Sequence, residues 1–256
     1  MYSIRRKFVS TAAASLLCLS AFSIPAAAAD LVVSAASSLT DAFKNVAQAY
    51  EAKNPGTKIV LNFAASDVLM QQIVNGAPAD VFASADQTAM DKAVAEKVID
   101  AATRRDFAAN QIVMIVPTDS KLNITSIKDL AKPAIKRVAY GNPASVPVGR
   151  YTQSALQATG LWDTVAAKGV PAQNVRQALD YVSRGEVDAG FVFATDAAIM
   201  PGKVKIAVHV ALQTPVTYPI AITSGSKQPT QAAAFLAYVA SPAGQAILAK
   251  YGFLKP

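Results

Sequence analysis

Cysteine and histidine are almost missing from this chain: one of each in 256 residues. Only 16% of the residues are charged. The lone cysteine, Cys18, falls in an N-terminal apolar run with leucine on either side, and a lipid attachment site would need small residues there. Loss of that segment leaves no thiol, so disulfides, thiolate metal sites and cysteine nucleophiles are excluded. The lone histidine, His209, lies in the strand-like "KIAVHV" and is expected to be structural or at the surface. The sequence contains no G-x-S-x-G elbow, no phosphate-binding G-x-x-x-x-G-K-[ST] loop and no G-x-G-x-x-G fingerprint. Nor do its carboxylates form a recognisable catalytic pair, and Glu186 and Asp188 read as a solvated turn entering a strand. After residue 29 no apolar run approaches the length of a membrane span. No Lys/Arg cluster is interleaved with aromatics, which argues against nucleic acid as a partner.

The N-terminus does carry a signal. Arg5, Arg6 and Lys7 precede an apolar run from Val9, and small residues follow with a cleavage position after Ala29. Residues 1–29 therefore read as a secretory signal peptide, with a periplasmic destination. The Arg5–Arg6 pair leaves twin-arginine export open beside the general route. Removing the three bases leaves 21 against 17 acids, so the net charge drops from +7 to +4.

The remaining chain alternates β-branched runs with amphipathic segments. Strands are predicted at 31–35, 58–63, 80–85, 111–117, 137–141, 189–194, 205–210 and 216–223. Helices are predicted at 39–53, 67–75, 87–95, 150–159, 174–184 and 229–250. In the first helix Leu39, Phe43, Val46 and Tyr50 form a one-sided stripe, and Asn54-Pro55-Gly56 ends it. Strand–helix–strand order predicts an α/β fold with parallel sheets covered on both faces. Joints near 105–111 and 211–217 suggest two lobes joined by two hinge crossovers. Residues 30–109 plus 217–256 would form one lobe and 110–216 the other.

Four small-residue turns each open a helix. Ser38-Leu-Thr-Asp41 has a capping-box pattern, and Ser66-Asp67 follows a strand. Pro147 pre-sets the backbone ahead of Val148-Gly149, and Asn174 caps a helix whose first residue is Val175. Helix starts leave N–H groups unpaired and carry a partial positive charge. Several converging on one cleft would bind an anion without a cationic side chain.

The stretches "AASSLTDAF", "NFAASDVLMQQI", "GAPADVFASADQTAMD", "VAYGNPASVPVGRY", "NVRQALDYVSRGEVDAGFVFATDA", "YPIAI" and "YGFL" resemble, in order, the periplasmic molybdate-binding proteins of ABC importers. The resemblance covers nearly all of the chain after residue 29. It implies the type II periplasmic-binding-protein fold, two α/β lobes with a ligand cleft between them, and no enzymatic activity. It also implies capture of molybdate or tungstate, no cofactor, a monomer, and delivery to a membrane permease driven by a cytoplasmic ATPase. Molybdenum would enter only as the bound oxyanion. Carried over, the oxyanion-binding positions are Ser38, Ser66, Val148 and Val175, the last two through backbone N–H. A fifth position, a tyrosine in the family, is Phe193 here, and its missing hydroxyl could be replaced by Tyr140, Tyr151 or Ser37. Asp67 is expected to face away from the cleft and to interact with its helix dipole. A different tetrahedral oxyanion such as sulfate or phosphate, or an enzyme or adhesin built on this scaffold, stays open as an alternative.

Overall fold

Residues 30–256, together with Tyr2, are described by the computed structural model; the rest of the expected signal peptide, with Cys18, lies outside the described residues. β1 (Leu31–Ala36) passes through a 3-10 turn at Ser37–Leu39 into α1 (Thr40–Lys53). β2 (Ile59–Ala64), α2 (Ser66–Val74), β3 (Val81–Ala83), α3 (Gln87–Ala95) and β4 (Arg105–Asn110) follow. Next come β5 (Ile112–Pro117), β6 (Val138–Gly141), α4 (Pro147–Ala158), α5 (Trp162–Ala166), β7 (Gly169–Ala172), α6 (Val175–Ser183), β8 (Ala189–Phe193) and α7 (Ala194–Ala198). β9 (Val204–His209), β10 (Val216–Ile222), α8 (Pro229–Ala240) and α9 (Pro242–Lys250) complete the chain.

The strands form two five-stranded sheets, ordered β2-β1-β3-β10-β4 and β7-β6-β8-β5-β9. Each sheet with its flanking helices makes one lobe. The chain passes between them twice, at 110–112 and again between His209 and Val216. The sheets are mixed, which corrects the expectation of parallel ones. β1 runs parallel to β2 and β3, and β6 parallel to β7 and β8. β10 is antiparallel to β3 and β4, and β5 to β8 and β9. The reversal follows from the crossovers: a chain that enters and leaves each lobe along neighbouring strands runs against the βαβ units beside them.

The apolar stripe of α1 is buried as its spacing requires, with Phe43 packed on Phe107 and Phe235 at centroid distances of 5.6 and 6.3 Å. Each such side chain contributes about 1.5–3 kcal/mol by leaving water. Other local expectations needed correction. The segment 105–111, read as a joint, holds β4. β7, α5 and α7 are short elements that periodicity did not reveal. The expected helix 229–250 is broken into α8 and α9, whose axes differ by 61°. Proline at 242 excludes helical backbone from the residue before it, and Ser241 is extended (φ −69°, ψ 160°) and caps α9 through Gly244. His209 ends β9 with an exposed side chain. Asp188 is half-buried rather than solvated, accepting the N–H groups of Lys136 and Arg137 at 2.6 and 2.9 Å.

Candidate functional site

The parallel strands of both lobes point their carboxyl ends at each other across the gap. In one sheet Ala35 lies beside Phe63 and Ala83, so the turns after β1, β2 and β3 emerge together. In the other, Gly141 lies beside Ala172, which aligns the turns leading to α4 and α6. Such an edge, where connections diverge to opposite faces of a sheet, is where open α/β folds bind ligands. Here the two edges meet at a small cavity, about 10 Å³, lined by Ser37, Ser38, Ser66, Val148, Val175 and Phe193, with small residues between them. All five expected binding positions line it, and no charged side chain does.

The hydrogen bonding fixes which groups face the cavity. Ser66 opens α2, and its Oγ accepts the Ala85 N–H at 3.0 Å. Its own proton is therefore available to a ligand. In α4, Pro147 has no N–H, while Gly149 donates to the Val146 carbonyl at 2.9 Å and Arg150 to the same group at 3.2 Å. Val148 is the first-turn N–H left over. In α6 the Asn174 side chain accepts from Gln177 N–H at 3.0 Å, as the cap pattern predicts, leaving Val175 and Arg176. These unpaired donors sit at the positive ends of their helices.

Ser38 departs from its expected role. It lies inside the 3-10 turn, whose start carries no side-chain cap, and Asp41 does not complete a capping box. Instead the Ser38 Oγ lies 3.0 Å from the Tyr218 hydroxyl. The Asn110 side-chain amide donates to that phenol oxygen at 3.2 Å and to Thr195 Oγ1 at 2.9 Å. The orientation of the amide is set by its Oδ1, which accepts Gln111 N–H at 2.9 Å. Either hydroxyl can donate in the Ser38–Tyr218 contact; with Tyr218 as the donor, the Ser38 proton is left for the cavity. Burial pushes the Tyr218 phenol well above its ordinary range, keeping it a donor.

Phe193 walls the cavity, its ring 5.7 Å from Tyr218 and 6.5 Å from Tyr151. Neither Tyr140 nor Tyr151 lines the cavity. Tyr140 packs on Trp162 at 5.3 Å, within the second lobe. Ser37 does line it.

Asp67 does not line the cavity either, but it is not turned away from the opposite lobe. It is buried, and its carboxylate bonds Lys92 at 2.7 Å and, across the gap, Arg150 at 2.6 Å. The same guanidinium takes Asp86 at 2.7 Å. On the other flank Arg176 pairs with Asp196 of its own lobe at 2.5 Å and with Asp41 of the opposite lobe at 2.7 Å. Burial raises the Asp86 carboxyl, and the facing Arg150 opposes that rise. Burial also pushes Asp196 up to about 6 against the pull of Arg176. For both arginines burial disfavours the charge, and the facing carboxylates outweigh it, so their pKa values are raised. Sequence reasoning missed these pairs. The partners that meet across the gap are 64 to 135 residues apart, and the only local trace is an arginine just after each backbone donor.

Two lobes hinged by two crossovers, with helix starts from both meeting at one small cavity, define a binding protein that holds a small solute between its lobes. The chain belongs to the bacterial extracellular solute-binding protein family, whose model matches residues 31–254. It is 40% identical over 233 residues to the molybdate-binding protein ModA of Escherichia coli (strain K12), covering 87% of this chain and 88% of that one. It is 37% identical over 236 residues to the molybdate-binding protein ModA of Haemophilus influenzae, covering 89% and 91%. Among solved structures, the periplasmic molybdate-binding protein of Azotobacter vinelandii superposes with a TM-score of 0.77 at 26% identity, covering 88% of this chain and 99% of that one. The relatives are solute-binding proteins rather than enzymes, and so is this chain.

Proposed function

We propose that this chain is a periplasmic binding protein that captures molybdate, and tungstate with it, and delivers the anion as a monomer to the permease and ATPase of an ABC importer. One observation carries the reading: the cavity presents donors from both lobes and no carboxylate. An oxyanion without a proton needs only donors, whereas the proton of hydrogen phosphate is best met by a carboxylate, which this lining does not offer. The Ser38 and Ser66 hydroxyls and the Val148 and Val175 N–H groups bind the ligand oxygens. Ser37 supplies a further hydroxyl where the Phe193 ring offers none. Water exclusion strengthens each bond, and the helix starts contribute positive potential without a mobile cation. No cofactor takes part, and no bond in the ligand is made or broken. Export through the signal in residues 1–29, by the general or the twin-arginine route, places the protein where the anion is met.

Titration calorimetry with molybdate, tungstate, sulfate and phosphate tests the proposal. The expected result is tight binding of the first two, weak binding of sulfate and none of phosphate. Tight sulfate or phosphate binding without a response to molybdate overturns it.

A further inference from the structure

The two arginines that follow the backbone donors have no part in the cavity lining, yet each spans the gap between the lobes. Arg150 lies two residues after Val148, and its guanidinium binds Asp86 through Nε at 2.8 Å and Asp67 through Nη2 at 2.6 Å. Asp67 follows Ser66 in the chain, and Asp86 follows Ala85, whose N–H holds the Ser66 hydroxyl. Arg176 directly follows Val175. Its Nε is anchored on Asp196 at 2.5 Å, its Nη1 reaches Asp41 at 2.7 Å, and its Nη2 points at the Ser38 carbonyl at 3.4 Å. Each bridge thus ties a helix start of one lobe to the serine turn facing it in the other. The Asp67 and Asp86 side chains are 8% and 4% exposed, so the Arg150 bridge is desolvated on its carboxylate side.

We propose that Arg150 and Arg176 are positioning residues, a pair of interlobe clamps that hold the lobes closed and set how slowly the bound anion leaves. The proposal rests on the oxyanion reading for the identity of the ligand, but not for the clamp itself. A guanidinium suits the task because its planar fork engages two carboxylates at fixed angles, which an ammonium does not. The carboxylates also neutralise the arginines. The anion is then recognised by neutral donors, while the cations act on the lobes. Losing one partner of a desolvated, hydrogen-bonded pair mainly raises the dissociation rate, because the encounter is complete before the bridges close.

Dissociation and association rates of molybdate, measured by stopped-flow on wild type, Arg150→Gln, Arg176→Gln, the double variant and Arg150→Lys, test this. Release should accelerate about tenfold or more for each glutamine variant, with association within about threefold of wild type. Arg150→Lys, which keeps the charge but not the fork, should fall between. Thermal midpoints of the ligand-free proteins separate a clamp from a general loss of fold. Release rates unchanged in the double variant, or a loss confined to the midpoint with the rates preserved, overturn the proposal. If wild type binds no molybdate, the oxyanion reading falls, and the clamp is read by hydrogen exchange of segments 36–39 and 64–67 in ligand-free protein. Faster exchange in the double variant supports the clamp, and equal exchange overturns it.

Discussion

Phe193 keeps an aromatic wall in the cavity and removes a hydroxyl that the resemblance leads one to expect there. A hydrogen bond to a charged ligand is worth about 1.5–3 kcal/mol, or roughly tenfold or more in affinity. Phe193→Tyr should therefore tighten molybdate binding about tenfold, as read by calorimetry, and Ser37→Ala should weaken it in the wild-type background more than in the tyrosine variant. Unchanged affinity in Phe193→Tyr would show that no oxygen of the ligand lies within reach of this position. Asp196 makes a second prediction at the same scale. It is fully buried, its Oδ2 has no hydrogen-bond partner among the described residues, and it titrates near 6 instead of 3.8. Between those values the folded chain holds a proton that the unfolded chain has lost, so stability falls as pH rises from about 4 to 6 and is flat beyond. A shift of this size is worth about 2–3 kcal/mol. Relative to wild type, Asp196→Asn should gain about that amount as pH rises from 4 to 7, measured by urea unfolding at each pH. Asp86, raised in the same direction by burial, keeps its own contribution of the same sign in both proteins. A constant difference across the range would mean that Asp196 titrates normally in the fold.

At the scale of elements, the site depends on where α4 begins. Its first turn lies so close to the end of β6 that a Cβ on Gly149 would sit 1.9 Å from the Gly141 carbonyl oxygen and 2.5 Å from its carbon. Backbone cannot yield as a side-chain tip would, so Gly149→Ala must lift the helix start and carry the Val148 N–H away from the cavity. Overpacking of this kind costs about 1–3 kcal/mol, and binding should weaken about tenfold through the displaced donor. Thermal unfolding and calorimetry read the two effects, and a variant that is destabilised but binds normally would exclude Val148 as a donor. The start of this helix also shows what the sequence could convey. Proline pre-sets the first helical residue within one or two positions, so the turn at 147 was legible, although the helix begins at Pro147 and not at 150 as its spacing suggested. Asn174 was legible as a cap for the same local reason. The capping box at Ser38 failed because a distant tyrosine competes for the serine oxygen, and no local pattern announces that competition. Pro242 marks the break at Ser241, although the apolar period runs on through it.

For the whole molecule, the informative contact lies where the lobes join. Asn110 is the last residue of β4, just before the first crossover, and its amide bonds Thr195 in the second lobe and Tyr218 in the first. The α/β class followed from element order, the two crossovers from the joints, and the two-lobe binding-protein fold from the resemblance. This junction did not, because it unites residues 85 and 108 apart with a serine 180 residues from its tyrosine. Its consequence is that the Ser38 hydroxyl is held by the hinge: Asn110 donates to the Tyr218 oxygen, and with Tyr218 donating in turn to the Ser38 oxygen the serine proton is free to meet a ligand. Removing the phenol frees the serine to rotate, so Tyr218→Phe should weaken molybdate binding severalfold to tenfold, the worth of one buried hydrogen bond. Stability will change as well, because Asn110 loses a partner, and a single variant cannot separate the two. A double-mutant cycle does. If Tyr218 acts through Ser38, its replacement costs affinity in the wild-type background and almost nothing once Ser38→Ala has removed the proton being aimed. Equal losses in both backgrounds would mean that the tyrosine serves only the packing of the hinge. Coupling of about 1 kcal/mol or more between the two sites would show that the same bonds joining the lobes also orient the donor between them.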